Sequence, residues 1–240
     1  LERCPAGKWC SDMKVVQYAY SYLPIYGGEE NYIRALKECL EAKGIKTVIV
    51  QRDFGVSEKG VKLVKPFKPK KRENIFDRHF VYPIVSYKTL YKIVEKGDIL
   101  ITHYPNLFFP SAWMLRKRCK TICVSHGVIW DKPNQSFIEK LFFLYMKVLH
   151  KIAAKFCDVI VANDRSYSKF VKSEYIPNFV DTNYFKPGGK KRKVIICARN
   201  LQYKRGVDLA IEAVKGLRME LWICGDGPER KRLEAMAGNN

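Results

Sequence analysis

From Met13 onward the chain alternates short apolar runs with amphipathic stretches long enough to be helices. That alternation restricts it to a parallel sheet covered by helices on both faces. Strands are expected at 15–19, 46–50, 99–102, 121–125 and 159–162, and helices at 29–43, 87–96, 110–117, 137–156 and 166–172. Together they predict one doubly wound Rossmann-like domain over 13–181. Ligands of such a sheet lie outside the carboxyl ends of its strands, which here carry Tyr20, His103 and His126 with Gly127.

After a linker at 182–193 the pattern restarts over 194–240, with strands at 194–198 and 220–224 and helices at 206–217 and 228–236. This reads as the opening of a second Rossmann-like domain. Two strands alone are marginal in water, so the piece is expected to be weakly ordered unless it docks on the first domain. The first twelve residues, LERCPAGKWCSD, carry neither helical nor strand periodicity. They are expected to be a non-native leader, with Met13 as the native start and no function for Cys4 and Cys10.

Apolar residues make up 47% of the chain and aromatic ones 13%, which excludes wholesale disorder. No signal peptide opens the chain, and no uncharged apolar run approaches the ~18 residues of a membrane span, so a cytoplasmic protein is expected. The 8 cysteines include no C-x-x-C pair, and Cys123, Cys197 and Cys224 sit in apolar runs. They are expected to be small buried hydrophobes in a reducing compartment.

The residues that speak to chemistry cluster near the C-terminus, in IPNFVDTNYFKP (176–187), ARNLQYKRGVDLAIEAV (198–214) and WICGDGPERKRLE (222–234). Arg199 and Lys204 flank a short loop after a strand and can converge on one anionic group, Arg as a planar fork and Lys as a compact charge. Gly225, Asp226 and Gly227 form a turn before Pro228, a favourable first helical residue. As a piece of G-x-G-x-x-G this is a weak dinucleotide signal, because Arg230 replaces the third glycine. Nearer the N-terminus, YLPIYGGEENYIRALKECLEAKG (22–44) places Gly27 and Gly28 at a tight turn and Glu29 and Glu30 in the first helical turn. CVSHGVIWD (123–131) ends a strand in His126.

In this order and spacing the phrases resemble glycosyltransferase family 4, the retaining nucleotide-sugar transferases of the GT-B fold. The resemblance implies that Arg199 and Lys204 bind the donor diphosphate and offset charge on the leaving oxygen. It implies that His126 contacts the transferred sugar or positions the acceptor, and that Gly225, Asp226 and Gly227 line the nucleotide pocket. Gly27 and Gly28 would face the donor phosphates or lie beside the acceptor, and Asn178 and Asp181 would shape the crossing between domains. Phe179 stands where the family most often has glycine. No metal or cofactor is implied, since the nucleotide sugar is itself a substrate. Members also carry, past the Gly-Asp-Gly-Pro turn, two glutamates separated by seven residues. The chain ends at Asn240 before any such pair, so on its own it is expected to be inactive.

The net charge of +20 includes the basic runs KPFKPKKR (65–72) and KKRK (190–193), read as solvated loops or as a face for anionic lipid. The helix at 137–156 has a polar stripe of Ser136, Lys140, Lys147, Lys151 and Lys155 beside a wide face of Phe137, Leu141, Leu144, Val148 and Ile152. That wide face is expected to be buried in the core. The partners expected are a nucleotide-sugar donor, a glycan or lipid-linked acceptor and peripheral contact with an anionic membrane, with no nucleic acid. Two other readings stay open. One is a sugar-nucleotide epimerase of the same architecture, and the other is a basic nucleic-acid- or membrane-binding module, for which 65–72 offers only Phe67 as an interleaved aromatic.

Overall fold

The computed structural model describes residues 13–25, 27–66, 75–128, 130, 135–189 and 192–237, with the side chain of Lys204 outside that set. The chain divides into two compact units between Val180 and Asp181.

The first unit is built on β1 (Lys14–Tyr18), β2 (Lys46–Arg52), β3 (Val61–Val64), β4 (Ile99–His103), β5 (Lys120–Ser125), β6 (Val159–Ala162) and β7 (Glu174–Tyr175). They form one sheet in the order β3-β2-β1-β4-β5-β6-β7, with every adjacent pair parallel. The order reverses at β1, whose neighbours are β2 and β4, and this is where a doubly wound sheet opens a crevice. The sheet is apolar on both faces because both are covered. Val16, Tyr18, Leu100, Cys123 and Ile160 belong to one core cluster and Val15, Ile101, Val124 and Val161 to another. The second cluster lies under α1 (Gly28–Ala42), which contributes Tyr32, Leu36 and Leu40.

Between β3 and β4 the chain is helical where no helix is expected before residue 87. A wide π-type turn at Asp77–Val81 leads into α2 (Tyr82–Val85) and α3 (Tyr87–Ile93). The last of these stops three residues short of expectation, because Val94 is extended and the Asp98 carboxylate accepts from the Glu95 amide at 2.7 Å. The helix expected at 110–117 is instead a π-type turn, Phe108–Ala112, followed by the single turn α4 (Trp113–Leu115). Then come α5 (Phe137–Phe156), begun by a capping box between Ser136 and Glu139, and the short α6 (Arg165–Ser168), where a longer helix to 172 is expected.

The bounds of α5 match the sequence reading, but its orientation does not. Its buried residues are Met146, Leu149, His150 and Ala153. The face expected in the core is largely exposed, with Phe137 at 74%, Leu141 at 52%, Leu144 at 59% and Val148 at 48%. A 20-residue helix with apolar residues on two sides offers either to the sheet. The smaller, tighter side wins here because Ala153 allows close approach and His150 finds Tyr167, its Nδ1 lying 3.2 Å from the hydroxyl.

The second unit contains β8 (Val194–Ala198), α7 (Val207–Val214), β9 (Glu220–Cys224) and α8 (Arg230–Ala237). The two strands pair in parallel, Val194 opposite Glu220 through Ala198 opposite Cys224. A small core of Leu201, Val207, Ile211 and Leu233 joins them to both helices. The cysteines divide between the units. Cys123 is buried and receives the Thr102 hydroxyl at 3.1 Å, whereas Cys197 is half-buried and Cys224 exposed, against the expectation that all three are buried. A two-stranded sheet has open faces, so its alternate side chains meet solvent. The expectations for residues 1–12, for most of the 65–72 run and for Lys190 and Lys191 lie outside the described residues.

Candidate functional site

At the carboxyl edge of the large sheet, β1, β4 and β5 bring polar groups into one line. Gln17, inside β1, is fully buried, and its side-chain amide donates to the Ile33 carbonyl of α1 at 3.2 Å. Its Oε1 lies 2.9 Å from Nε2 of His103, the last residue of β4. His103 Nδ1 lies 3.2 Å from Nε2 of His126, just past β5. The two rings are stacked, with centroids 5.4 Å apart. Tyr32 and Tyr104 meet His126 edge-on at 5.0 and 5.5 Å.

Burial, then the charge on His126, holds the His103 pKa well below the usual imidazole value. Burial, then the Arg78 guanidinium, lowers that of His126 to about 4. Both rings are therefore neutral at pH 7. Beside them Tyr104 has φ of 89°, the only non-glycine residue with positive φ among those described. A bulky residue in that region is strained, and such strain gathers where a loop is held for function.

Arg78 reaches this group from the π-type turn, which is pinned from below. Arg52, 1% exposed at the end of β2, pairs with the Asp77 carboxylate at 2.5 Å, and the Tyr20 hydroxyl donates to the same oxygen at 2.9 Å. The neighbouring Arg78 then lies over the Tyr104 ring at 5.0 Å and pairs with Glu29 at 3.0 Å.

The first turn of α1 closes the group. Gly27 is its N-cap, and a Cβ there would sit 2.6 Å from the Glu30 carboxylate. That carboxylate is buried and accepts from the Ser21 hydroxyl at 2.7 Å. Gly28 has nothing within 4 Å of the corresponding position. A side chain at 27 must therefore displace a buried carboxylate, whereas one at 28 meets open space. The Phe179 ring lies 5.3 Å from Tyr32, and its backbone needs no left-handed conformation, so a side chain is accommodated where glycine is usual.

In the second unit, the loop after β8 and the turn after β9 are joined along their main chains. The Arg199 amide donates to the Cys224 carbonyl at 3.1 Å, Leu201 to Asp226 at 2.9 Å, and Glu229 back to Leu201 at 3.1 Å. A Cβ at Gly225 would be driven into the Arg199 carbonyl, and one at Gly227 into that of Leu201. These glycines are needed because another backbone lies against them. Asp226 turns its Oδ1 to the Gly227 amide at 2.8 Å. Arg199 therefore stands exposed at the end of β8, beside the Gly-Asp-Gly turn and ahead of α8. Lys204 lies in the single turn Tyr203–Arg205, and its side chain is outside the described residues.

Of the residues expected in a site, His126, Gly27 and Gly28 share the edge of the first sheet, and Arg199, Gly225, Asp226 and Gly227 share the edge of the second. Sequence reasoning missed Gln17, Arg78 and Tyr104, and placed Glu30 only as an acid of the first helical turn. Gln17 carried a signal, being the single uncharged polar residue inside VVQYAY, a run that must be buried on both faces. Among the described residues no three His, Cys, Asp or Glu side chains gather as a metal centre requires, and no helix is long and apolar enough to cross a membrane.

The profile of Glycosyltransferase Family 4 matches residues 26–184, and that of Glycosyl transferases group 1 matches residues 180–240. The chain belongs to glycosyltransferase family 4. It is similar to a phosphatidylinositol N-acetylglucosaminyltransferase component of Arabidopsis thaliana, at 24% identity over 93% of this chain and 54% of that protein. The chain thus spans about half the length of that relative. Among solved structures, a variant of S. aureus TarM in complex with Fondaparinux, alpha-GlcNAc-glycerol and UDP matches with a TM-score of 0.61 at 11% identity, over 93% of this chain and 74% of that one. WaaG, a glycosyltransferase involved in lipopolysaccharide biosynthesis, matches with a TM-score of 0.60 at 16% identity, over 93% and 66%. These likenesses show the GT-B fold with Rossmann-like units, as the motifs of the family 4 chain imply.

Proposed function

We propose that this family 4 protein transfers a sugar from a nucleotide-sugar donor to a glycan or lipid-linked acceptor with retention of anomeric configuration. The observation that carries the reading is the main-chain union of the Arg199 loop with the Gly225–Gly227 turn at the strand ends of the second unit. It presents an exposed guanidinium, making no ion pair among the described residues, beside a turn and a helix start. A diphosphate suits such a place, and the UDP in the TarM complex is in keeping with a nucleotide-sugar donor.

In the reaction the bond between the anomeric carbon and the leaving phosphate oxygen breaks, and the acceptor oxygen bonds to the same face. The acceptor proton passes to the departing phosphate. Arg199 and Lys204 offset the charge that develops on that oxygen, and Asp226, Gly225 and Gly227 line the nucleotide side. His126, with Gly27 and Gly28 nearby, faces the sugar and acceptor side. The two carboxylates in the first turn of α1 favour hydroxyls over phosphates there.

The acceptor is proposed to be presented at an anionic membrane surface. The exposed Phe137, Leu141, Leu144 and Val148 of α5, with Lys140, Lys147 and Lys151 along one border, support this. Phe80 extends the apolar area, stacked on Tyr145 at 5.0 Å. The test is release of nucleoside diphosphate from a panel of nucleotide sugars, UDP-N-acetylglucosamine first, by the protein with and without lipid-linked acceptors. Sugar transfer that inverts the anomeric centre, or epimerisation without transfer, would overturn the reading.

A further inference from the structure

We infer that Gln17, acting through His103, fixes the tautomer of His126 so that His126 offers the open site a bare Nδ1 lone pair rather than an N–H.

Each link in this chain of polarity is forced by the one before it. A carbonyl oxygen only accepts, so the Ile33 carbonyl at 3.2 Å requires the amide nitrogen of Gln17 on its side. The Gln17 oxygen then faces His103 Nε2 at 2.9 Å and also only accepts, so His103 must carry its proton on Nε2. A neutral imidazole has one N–H, which leaves Nδ1 of His103 an acceptor. His126 Nε2, 3.2 Å away, must therefore donate to it. The remaining nitrogen of His126, Nδ1, then has no proton and makes no hydrogen bond among the described residues.

The elements that hold this relay are paired in register and buried. Gln17 is opposite Ile101 in the β1–β4 register and His103 opposite Val124 in the β4–β5 register, so three neighbouring strands set the spacing. Ile33 is on the buried side of α1, fully covered. Arg78, near enough to act on His126 by its charge, opposes a second proton on that ring.

A bare imidazole nitrogen accepts from a hydroxyl and repels a phosphate oxygen. The class of group that His126 takes is therefore a hydroxyl donor, on the sugar or on the acceptor. This ligand half rests on the proposed function, whereas the tautomer half does not. Gln17 and His103 are positioning residues, since they act on the site through His126.

The test is long-range proton–nitrogen correlation NMR of the imidazole rings at pH 7, in the wild-type chain and in Gln17→Leu. In the wild type, His126 is expected to show a protonated Nε2 and an unprotonated Nδ1. In Gln17→Leu, His103 is released and both rings should become tautomeric mixtures. A protonated Nδ1 on wild-type His126 overturns the inference without need of the variant, so a poorly folding variant leaves it testable. The expected pattern persisting unchanged in a folded Gln17→Leu overturns the role of Gln17. Adding UDP-N-acetylglucosamine, or a lipid-linked acceptor after it, should shift the His126 Nδ1 resonance. Binding of both that leaves this resonance unmoved overturns the ligand half, whereas absence of donor binding counts against the proposed function instead.

Discussion

His103 and His126 stack with their rings 15° from parallel, both held neutral, His103 by burial and then by His126, and His126 by burial and then by Arg78. They share this state with the other two histidines of the chain. Burial first, then Arg78, lowers His79 to about 4, and burial first, then His79, lowers His150 to about 3.

All four histidines thus bind protons less readily folded than unfolded. Their contribution to stability is fully present above pH 6.5 and is lost as pH falls toward the folded values. Each should cost roughly 2 kcal/mol between pH 7 and pH 5. Urea midpoints of the first unit should fall steeply over that interval, and a flat profile would show that the rings are not held neutral.

Gly225 and Gly28 should respond to alanine in opposite ways. Gly225→Ala forces the Arg199 carbonyl aside and should destabilise the second unit by roughly 3 kcal/mol. Gly28→Ala meets open space at a helix start with no positive φ, and should stabilise by about 0.5 kcal/mol. Denaturant titration of both variants checks the pair.

In the complete enzyme, Arg199→Ala should lower turnover by about 100- to 1000-fold with the circular dichroism spectrum unchanged, the loss typical of one charge-stabilising group at a developing oxyanion. Lys204→Ala should act in the same direction. Single-turnover measurement separates a chemical defect from weaker donor binding.

Vesicle flotation tests the exposed side of α5. Removing Lys140, Lys147 and Lys151 as Gln should weaken binding to phosphatidylserine-containing vesicles by on the order of 100-fold, at roughly 1 kcal/mol per lysine. Leu141→Glu with Leu144→Glu should abolish binding. Retention of both variants on the vesicles would sink the membrane reading.

The sequence was most legible where periodicity is strong and local. The strands Val159–Ala162, Val194–Ala198 and Glu220–Cys224 and the helix Phe137–Phe156 fall where their apolar patterns put them. The edge strand Glu174–Tyr175 is too short to show a period, Val61–Val64 has its apolar run broken by Lys62, and the turn at Asp77–Val81 owes its place to Arg52 and Tyr20, distant in sequence. The side of α5 that packs inward was illegible for a similar reason, because the choice between two apolar stripes depends on distant partners such as Tyr167. Half of the site was visible as motif. The other half, Gln17 and Arg78, acts through partners 86 and 49 residues away.

The pairing of Leu201 with Asp226 and Glu229 ties together two stretches that look independent in the chain. Inserting or deleting a single residue in either would slide one past the other and carry the Arg199 guanidinium out of line. Divergence in this lineage is therefore expected to conserve the lengths of both segments jointly, even where their side chains drift.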